Sequence, residues 1–298
     1  MLKTRFLFLT YFIIATGAYG QTTPVACLPC DSLVQTVTSH TSLAAYNAGV
    51  TNLLTDRPHM MLDSFMLALK GREKDSAGFN FESKRLCRED IKGAFADKKI
   101  SVAYAFILQI QQPKPGTREH IIKLHKVGHT FITLIKYNAD GSYTSHSFGF
   151  YPVKKKPLSA TPFAPETPSV IKEDSRHRWS EAVGKFITKC QFDTILQTLL
   201  RFQARRYNLN RNNCTDFGLC AATEAGITIF NTQGKWFGGS GNNPGDAGES
   251  VLDGLVINND TGNTRGLLIK VLPDKKERPR LHGNKYFTYQ LLNSLITQ

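Results

Sequence analysis

The chain has 298 residues, of which 41% are hydrophobic and 20% are charged, and its formal net charge is +13. This composition excludes a disordered or fibrous polymer and indicates a globular protein with one large domain, or one domain and an extension. The basic charge favours polyanionic partners, such as anionic lipid surfaces or acidic cell-wall polymers. The sequence carries no helix-turn-helix, zinc-finger or RNA-binding signature, so no specific nucleic-acid partner is expected.

Residues 1–20 have the pattern of a secretory signal peptide. A basic opening, MLKTR, precedes the apolar run 6–15, and Ala18, Tyr19 and Gly20 fit a small-x-small cleavage site. The apolar run is short for a bilayer span. We therefore expect a cleaved signal and a secreted or periplasmic protein. A retained N-terminal anchor and a lipid-modified Cys27 are the alternatives.

The chain contains six cysteines, and export permits disulfide bonds between them. Cys27 and Cys30 form a CLPC motif. A thioredoxin-like redox motif follows a strand and opens a helix, whereas this motif follows the signal in a proline-containing stretch. A structural disulfide is therefore expected there. No second cluster of ligands has the spacing of a metal site, so neither a metal nor another cofactor is predicted.

The first part of the mature chain, residues 21–99, is predicted to be a helical region. Scattered apolar positions indicate helices at residues 31–54 and 60–70, and a short polar helix at residues 88–99. The pattern then changes from helical to extended.

A sheet is predicted from residue 100 onward. Residues 100–111 are β-branched and aromatic, which indicates a strand. The alternating run that follows Lys126 turns at residues 138–141, NADG, and returns as a second strand of a hairpin. The proline-rich residues 154–169 indicate a surface loop, and residues 183–187 another strand.

Two helices follow, and each has a recognisable beginning. Thr188 and Gln191 fit a capping box ahead of an apolar helical stripe. Asn212 or Asn213 is suited to cap the next helix, which begins at Cys214. The segment GGSGNNPGD is predicted to be a loop, and residues 266–273 a late strand.

Cys214 is the strongest candidate for a catalytic group. In the first turn of a helix, the macrodipole and the free backbone amides favour thiolate over thiol. A nucleophile also needs a base, and His129 stands at the start of a predicted strand. The alternatives are a buried structural cysteine and a histidine satisfied within the core.

Four blocks of sequence resemble bacterial exported or toxin-associated domains of the permuted papain-like, NlpC-type superfamily. They are GHTFITL (128–134), SFGFYP (147–152), YNLNRNNCTDF (207–217) and NNPGDAGESV (242–251). This resemblance implies an α+β, permuted papain-like fold over residues 100–260, with an antiparallel sheet packed against the nucleophile helix. It also implies that Cys214 is the nucleophile and His129 the base. Residues 21–99 would then be an N-terminal helical extension, and residues 261–298 a C-terminal strand and tail.

The third catalytic residue remains open between His146 and Ser147 on the second hairpin strand. A simple hairpin would place His129 opposite Phe150, and a bulge would instead bring Ser147 or Tyr151 into place. For the oxyanion, the backbone amide of Cys214 and the side chain of Asn213 are the candidate donors.

The expected function is that of a secreted, cysteine-dependent amide hydrolase, with cell-wall peptides as the substrate class that the resemblance implies. One alternative is an acyltransferase or lipid esterase of the permuted Cys/His type, which would have a long apolar pocket. The other is a catalytically inactive secreted binding domain, in which Cys214 would have the pKa of an ordinary thiol.

We predict that the mature protein begins at Gln21, because the small residues Ala18 and Gly20 fit the signal peptidase. N-terminal sequencing of exported material checks this. A different first residue, or a lipid on Cys27, would contradict it.

Overall fold

The computed structural model describes residues 83–119, 127–154, 156 and 158–271. The predicted signal peptide, the helices at 31–54 and 60–70 and the disulfide between Cys27 and Cys30 lie outside these residues. The described part is a mixed α+β structure with one large antiparallel sheet and few helices. This agrees with the predicted α+β class.

Strands and helices alternate irregularly along the chain. The strands of the large sheet are β1 (Arg85–Leu86), β2 (Ser101–Gln111), β3 (His129–Asn138), β4 (Tyr143–Pro152), β6 (Ser169–Glu173), β7 (Glu181–Ile187) and β13 (Leu268–Val271). Three small ribbons pair β5 (Glu166–Thr167) with β8 (Tyr207–Asn208), β9 (Ile227–Ile229) with β12 (Val256–Asn258), and β10 (Gln233–Trp236) with β11 (Gly239–Asn242). The helices are α1 (Arg88–Gly93), α2 (Lys189–Gln203), α3 (Cys214–Glu224) and α4 (Pro244–Leu252).

The seven strands of the large sheet lie in the order β1-β6-β4-β3-β2-β7-β13. Both edge strands, β1 and β13, come from outside the predicted domain at residues 100–260. The sheet therefore begins earlier in the chain than the sequence suggested, whereas β13 confirms the late strand predicted at residues 266–273. A two-residue edge strand such as β1 carries no sequence pattern of its own, because the neighbouring strand defines it.

The centre of the sheet is β3, all ten residues of which are buried. Its β-branched and aromatic residues suit a strand that is covered on both faces. Ile132 and Leu134 pack in the larger hydrophobic cluster, together with α2 and α3. Phe131 and Ile135 belong to a second cluster on the other face.

Aromatic rings join α2 and α3 to the sheet. Phe202 of α2 and Phe217 of α3 meet edge to face, with centroids 5.2 Å apart. Both rings also contact Phe150 of β4, at 5.3 and 6.1 Å. Burying each ring stabilises the fold by about 1.5–3 kcal/mol. This contact fixes the direction in which α3 approaches the sheet.

A glycine lets α3 come close to β3. A Cβ on Gly218 would lie 2.6 Å from Cγ2 of Thr130 and 2.8 Å from Cδ1 of Leu108. The backbone of α3 therefore lies almost directly against the side chains of the sheet at this point.

Several local predictions are confirmed. Thr188 caps α2 in a capping box with Gln191, and Gly141 has the expected positive φ, +83°. Others are wrong. Helix α1 ends at Gly93 rather than at residue 99, and α4 occupies part of the sequence predicted as loop. The position of Cys190 in the predicted helical segment indicates a buried thiol or half of a disulfide, but Cys190 is an exposed free thiol.

No helix within the described ranges is long and apolar enough to cross a bilayer.

We predict that Gly218→Ala lowers the free energy of unfolding by about 1–3 kcal/mol, because the new methyl overpacks the contact with Thr130 and Leu108. Urea denaturation measures the change. Gly93→Ala in α1 is the matched control, since nothing lies within 4 Å of a Cβ there. It should be neutral or stabilising by up to about 1 kcal/mol. Equal effects of the two substitutions would contradict the close packing of α3.

Candidate active site

Cys214 is the first residue of α3 and lies beside the start of β3. The paired register of β3 and β4 ends at Phe131 and Gly149, although both strands continue further. The backbone amide of Thr130 and the hydroxyl of Thr215 both hydrogen-bond the thiol of Cys214, and both interactions lower its pKa. The two threonine hydroxyls are themselves 3.1 Å apart. The sulfur is thus held in a polar setting at the end of the sheet.

Asn213 caps this helix and ties neighbouring loops to it. Its Oδ1 accepts hydrogen bonds from the amides of Thr215 and Asp216, at 2.7 and 3.1 Å. Its Nδ2 donates to the carbonyls of Leu209 and Asn242, at 2.9 and 2.8 Å. The predicted role as N-cap is confirmed. Both hydrogens of the side-chain amide are already donated, so the structure does not support the predicted role in holding an oxyanion, and Asn213 instead positions the first turn.

His129 partners Cys214. Burial alone would raise the pKa of the Cys214 thiol, but the hydrogen bond to His129 and the attraction of its charge outweigh burial and lower that pKa. Burial likewise would lower the pKa of His129, but hydrogen bonds to Asp174 and Cys214 outweigh it and raise the pKa to about 9. Both shifts favour a thiolate–imidazolium pair.

Asp174 orients the histidine. Nε2 of His129 lies 3.0 Å from Oδ2 of Asp174, and both side chains are buried. Nδ1 is then the ring nitrogen left for the thiol. The carboxylate also accepts hydrogen bonds from the hydroxyl of Tyr151, at 2.9 and 3.0 Å, and from that of Ser83 at 3.4 Å. A carboxylate on one imidazole nitrogen fixes the ring and stabilises its charged form.

The contact between His129 and Asp174 needs Gly149. A Cβ at this position would lie 1.8 Å from Oδ2 of Asp174 and 2.7 Å from Nε2 of His129. The glycine in the segment SFGFYP therefore makes room for the carboxylate to reach over β4. Tyr151 and His177 enclose the imidazole, with ring centroids 4.3 and 4.7 Å from its own.

Neither predicted third residue occupies this position. The ring of His146 lies edge-on to Phe95 at 5.1 Å, and its backbone pairs with Leu134. Leu134 is five residues along β3 from His129, or about 17 Å at strand rise. Ser147 lies opposite Thr133, whose hydroxyl is 2.8 Å from its own. The backbone carbonyl of Ser147 does contribute, because it accepts a hydrogen bond from the amide of Asp174 at 3.0 Å.

The hairpin register also differs by one residue from the simple expectation. Tyr137 pairs with Tyr143, so the loop includes Ser142 and is one residue longer than NADG alone. The amide of Asn138 donates to the carbonyl of Ser142 and closes this longer loop. Continuing the register places Tyr151, and not Phe150, across from His129.

Tyr207 is a second site residue that the sequence reasoning missed. Hydrogen bonds link its hydroxyl to both the backbone amide and the thiol of Cys214. Burial is the main cause that raises the pKa of Tyr207, and the charge of Cys214 adds to it. Tyr207 is therefore a neutral hydroxyl beside the sulfur, suited to donate to a developing negative charge there. The amide of Cys214, the other predicted donor, is engaged by the oxygen of Tyr207.

A comparison with protein-family models, curated proteins and solved structures found no match. The part of the chain that the structure describes also holds no group of three or more histidine, cysteine, aspartate or glutamate side chains placed to bind a metal ion.

We predict that loss of Asp174 shifts the pH profile of Cys214 alkylation to higher pH. The hydrogen bond that His129 donates to Asp174 raises the pKa of His129, so its loss lowers that pKa and leaves the thiolate with a weaker cationic partner. Alkylation by iodoacetamide at pH 7 should slow about tenfold in Asp174→Ala, equivalent to about 1.4 kcal/mol of thiolate stabilisation.

Asp174→Asn keeps an acceptor oxygen and should give a smaller shift. Asp193→Asn, on the exposed surface of α2, controls for loss of one negative charge. An unchanged profile in folded Asp174→Ala would show that Asp174 does not act on the pair.

Proposed function

We propose that this protein is a secreted, cysteine-dependent amide hydrolase with a permuted papain-like fold. The observation that carries the proposal is the buried chain of contacts from Cys214 through His129 to Asp174. It combines a thiol of lowered pKa with an imidazole of raised pKa and an orienting carboxylate. A nucleophile, a base and a group that orients the base are the parts that thiol-dependent acyl transfer needs.

The reaction begins with attack of the Cys214 thiolate on the carbonyl carbon of the substrate. The carbonyl oxygen becomes an oxyanion, for which the Tyr207 hydroxyl is the donor. The imidazolium of His129 then gives its proton to the leaving amine as the C–N bond breaks, and a thioester remains. Neutral His129 next takes a proton from water. The hydroxide formed displaces the thiolate, and the acid product leaves.

The lowered pKa of Cys214 supports an enzyme over a binding domain with an inactive site. A structural thiol without a task has no need of a buried cationic partner, because burying such a pair adds little to stability. Perturbed pKa values of this kind cluster at functional sites.

Cell-wall peptides are the substrate class that we propose, on the basis of the resemblance of the blocks around His129 and Cys214. The signal-like residues 1–20 and the net charge of +13 fit a protein that meets acidic polymers outside the cytoplasm.

We predict that Cys214→Ala abolishes hydrolysis of peptidoglycan-derived peptides and that His129→Ala slows it about 10²–10⁴-fold. The double variant should be little worse than Cys214→Ala, because a base without its nucleophile contributes almost nothing. Amine release measures turnover, and circular dichroism checks the fold.

Cys190→Ala and His146→Ala are the matched controls. Cys190 is a free, exposed thiol, and His146 lies on β4 away from the site. Both variants should keep full activity. Full activity of folded Cys214→Ala would exclude the mechanism.

A further inference from the structure

A concave surface beside the candidate active site gathers three cationic side chains. It has a volume of about 330 Å³, and Arg85, Lys154 and Lys172 contribute to its wall. Tyr151 also lines it, and no acidic residue does. We call this surface the cationic pocket.

Tyr151 connects the cationic pocket to His129. The ring of Tyr151 stacks on the imidazole of His129, and the two ring centroids are 4.3 Å apart. The ammonium of Lys172 lies 5.1 Å from the centroid of the same tyrosine ring. The hydroxyl of Tyr151 meanwhile donates to Asp174. The pocket therefore begins one aromatic ring away from the imidazole.

The cations of the pocket repel each other. Arg85 and Lys172 are direct cross-strand partners on β1 and β6. Like charges in this arrangement destabilise a sheet. None of the salt bridges among the described residues involves Arg85, Lys154 or Lys172.

Several other cations of the described residues are paired with carboxylates. Arg118 meets Asp246 and Asp253, and Arg206 meets Glu166. Even Lys84, the neighbour of Arg85 in the chain, pairs with Asp90. The nearby carboxylate of Asp174 already accepts hydrogen bonds from His129 and from the hydroxyls of Tyr151 and Ser83. The pocket thus keeps a local repulsion that a bound anion would relieve.

We propose that the cationic pocket binds a compact oxyanion, a carboxylate or a phosphate group, carried by the substrate that Cys214 attacks. Guanidinium and ammonium groups recognise such anions through charge-assisted hydrogen bonds. The anion site itself follows from Arg85, Lys154 and Lys172; its assignment to the substrate rests on the proposed hydrolase function.

The first experiment tests binding of the anion without any need for turnover. The melting temperature of the full chain is measured with inorganic phosphate or with acetate, against chloride at equal ionic strength. We expect phosphate to raise it, because a ligand that binds the native state stabilises that state. The rise should disappear in the double variant Arg85→Met/Lys172→Met and persist in Lys98→Met, which removes an exposed lysine of the loop before β2.

A rise with both anions identifies a site that also takes carboxylates, and a rise with phosphate alone a site for phosphate. In chloride, the double variant should melt at the same or a higher temperature than the wild type, because the repulsion between Arg85 and Lys172 is gone. No rise with either anion, or an equal rise in the double variant, would overturn the anion site.

The second experiment asks whether the bound anion belongs to the substrate. Cys214 is alkylated with iodoacetylglycine and, separately, with its neutral carboxamide, and mass spectrometry follows each cysteine. Both reagents react with the same thiolate, so the ratio of the two rates is independent of any change in the pKa of the thiol. We expect this ratio to fall about two- to fivefold in Lys172→Met, the range for a solvent-screened charge pair, and to stay constant in Lys98→Met. The exposed thiols of Cys87 and Cys190 serve as internal references.

The two proposals fail in different ways. If Cys214 reacts but the ratio is unchanged in Lys172→Met, the substrate role of the pocket is wrong while the thiol chemistry stands. If Cys214 reacts with neither reagent, the hydrolase is excluded and with it the substrate role, and the melting experiment alone decides the anion site.

Discussion

The packing of the first two turns of α3 against the start of β3 is the contact on which the candidate site depends. Gly218 permits this approach, since any side chain there would collide with Thr130 and Leu108. The hydroxyls of Thr130 and Thr215 meet across it. Because β3 carries His129 and α3 begins with Cys214, the thiol and the imidazole are positioned by helix-on-sheet packing rather than by loops. Sites built on such elements are held more rigidly than sites on loops.

Burial destabilises the charged forms of Cys214 and His129, whereas the hydrogen bonds within the site stabilise them. Removal from water favours a neutral thiol and a neutral imidazole. The mutual hydrogen bond of Cys214 and His129 reverses both preferences, and Asp174 supplies the remaining bias toward the imidazolium. Tyr151 and Ser83 in turn satisfy the carboxylate. A partly satisfied polar network is costly in a low-dielectric interior, so these groups are best understood as one unit.

Much of the fold is visible in the sequence because its causes are local. The capping box at Thr188, the cap at Asn213 and the alternation along β3 each involve residues a few positions apart. The same holds for the choice of Cys214 as the candidate nucleophile, since the helix start beside it is local. The assignment of His129 as the base for Cys214 came instead from the order of the sequence blocks that carry the resemblance.

What escaped prediction depends on residues distant in the chain or on a single-residue detail. Asp174 is 45 residues from His129 and reaches it across Gly149. The usable signal was that glycine, flanked by aromatic residues in a strand next to the histidine. One extra loop residue, Ser142, was enough to exchange Phe150 for Tyr151 opposite His129, because strand side chains alternate between faces. Helix α4 was hidden by its glycines, although Asn243 and Pro244 form a good helix start.

The position of Asp174 just beyond β6 has a consequence for the dynamics of the site. Within the described residues, the sheet continues beyond β6 as the two-residue strand β1, and edge segments of this kind open locally at a lower free energy than central strands. Cys214 and His129 belong to the interior of the fold, whereas their orienting carboxylate is attached near its margin. Local opening of this margin would release the imidazole from Asp174 without unfolding the central strands.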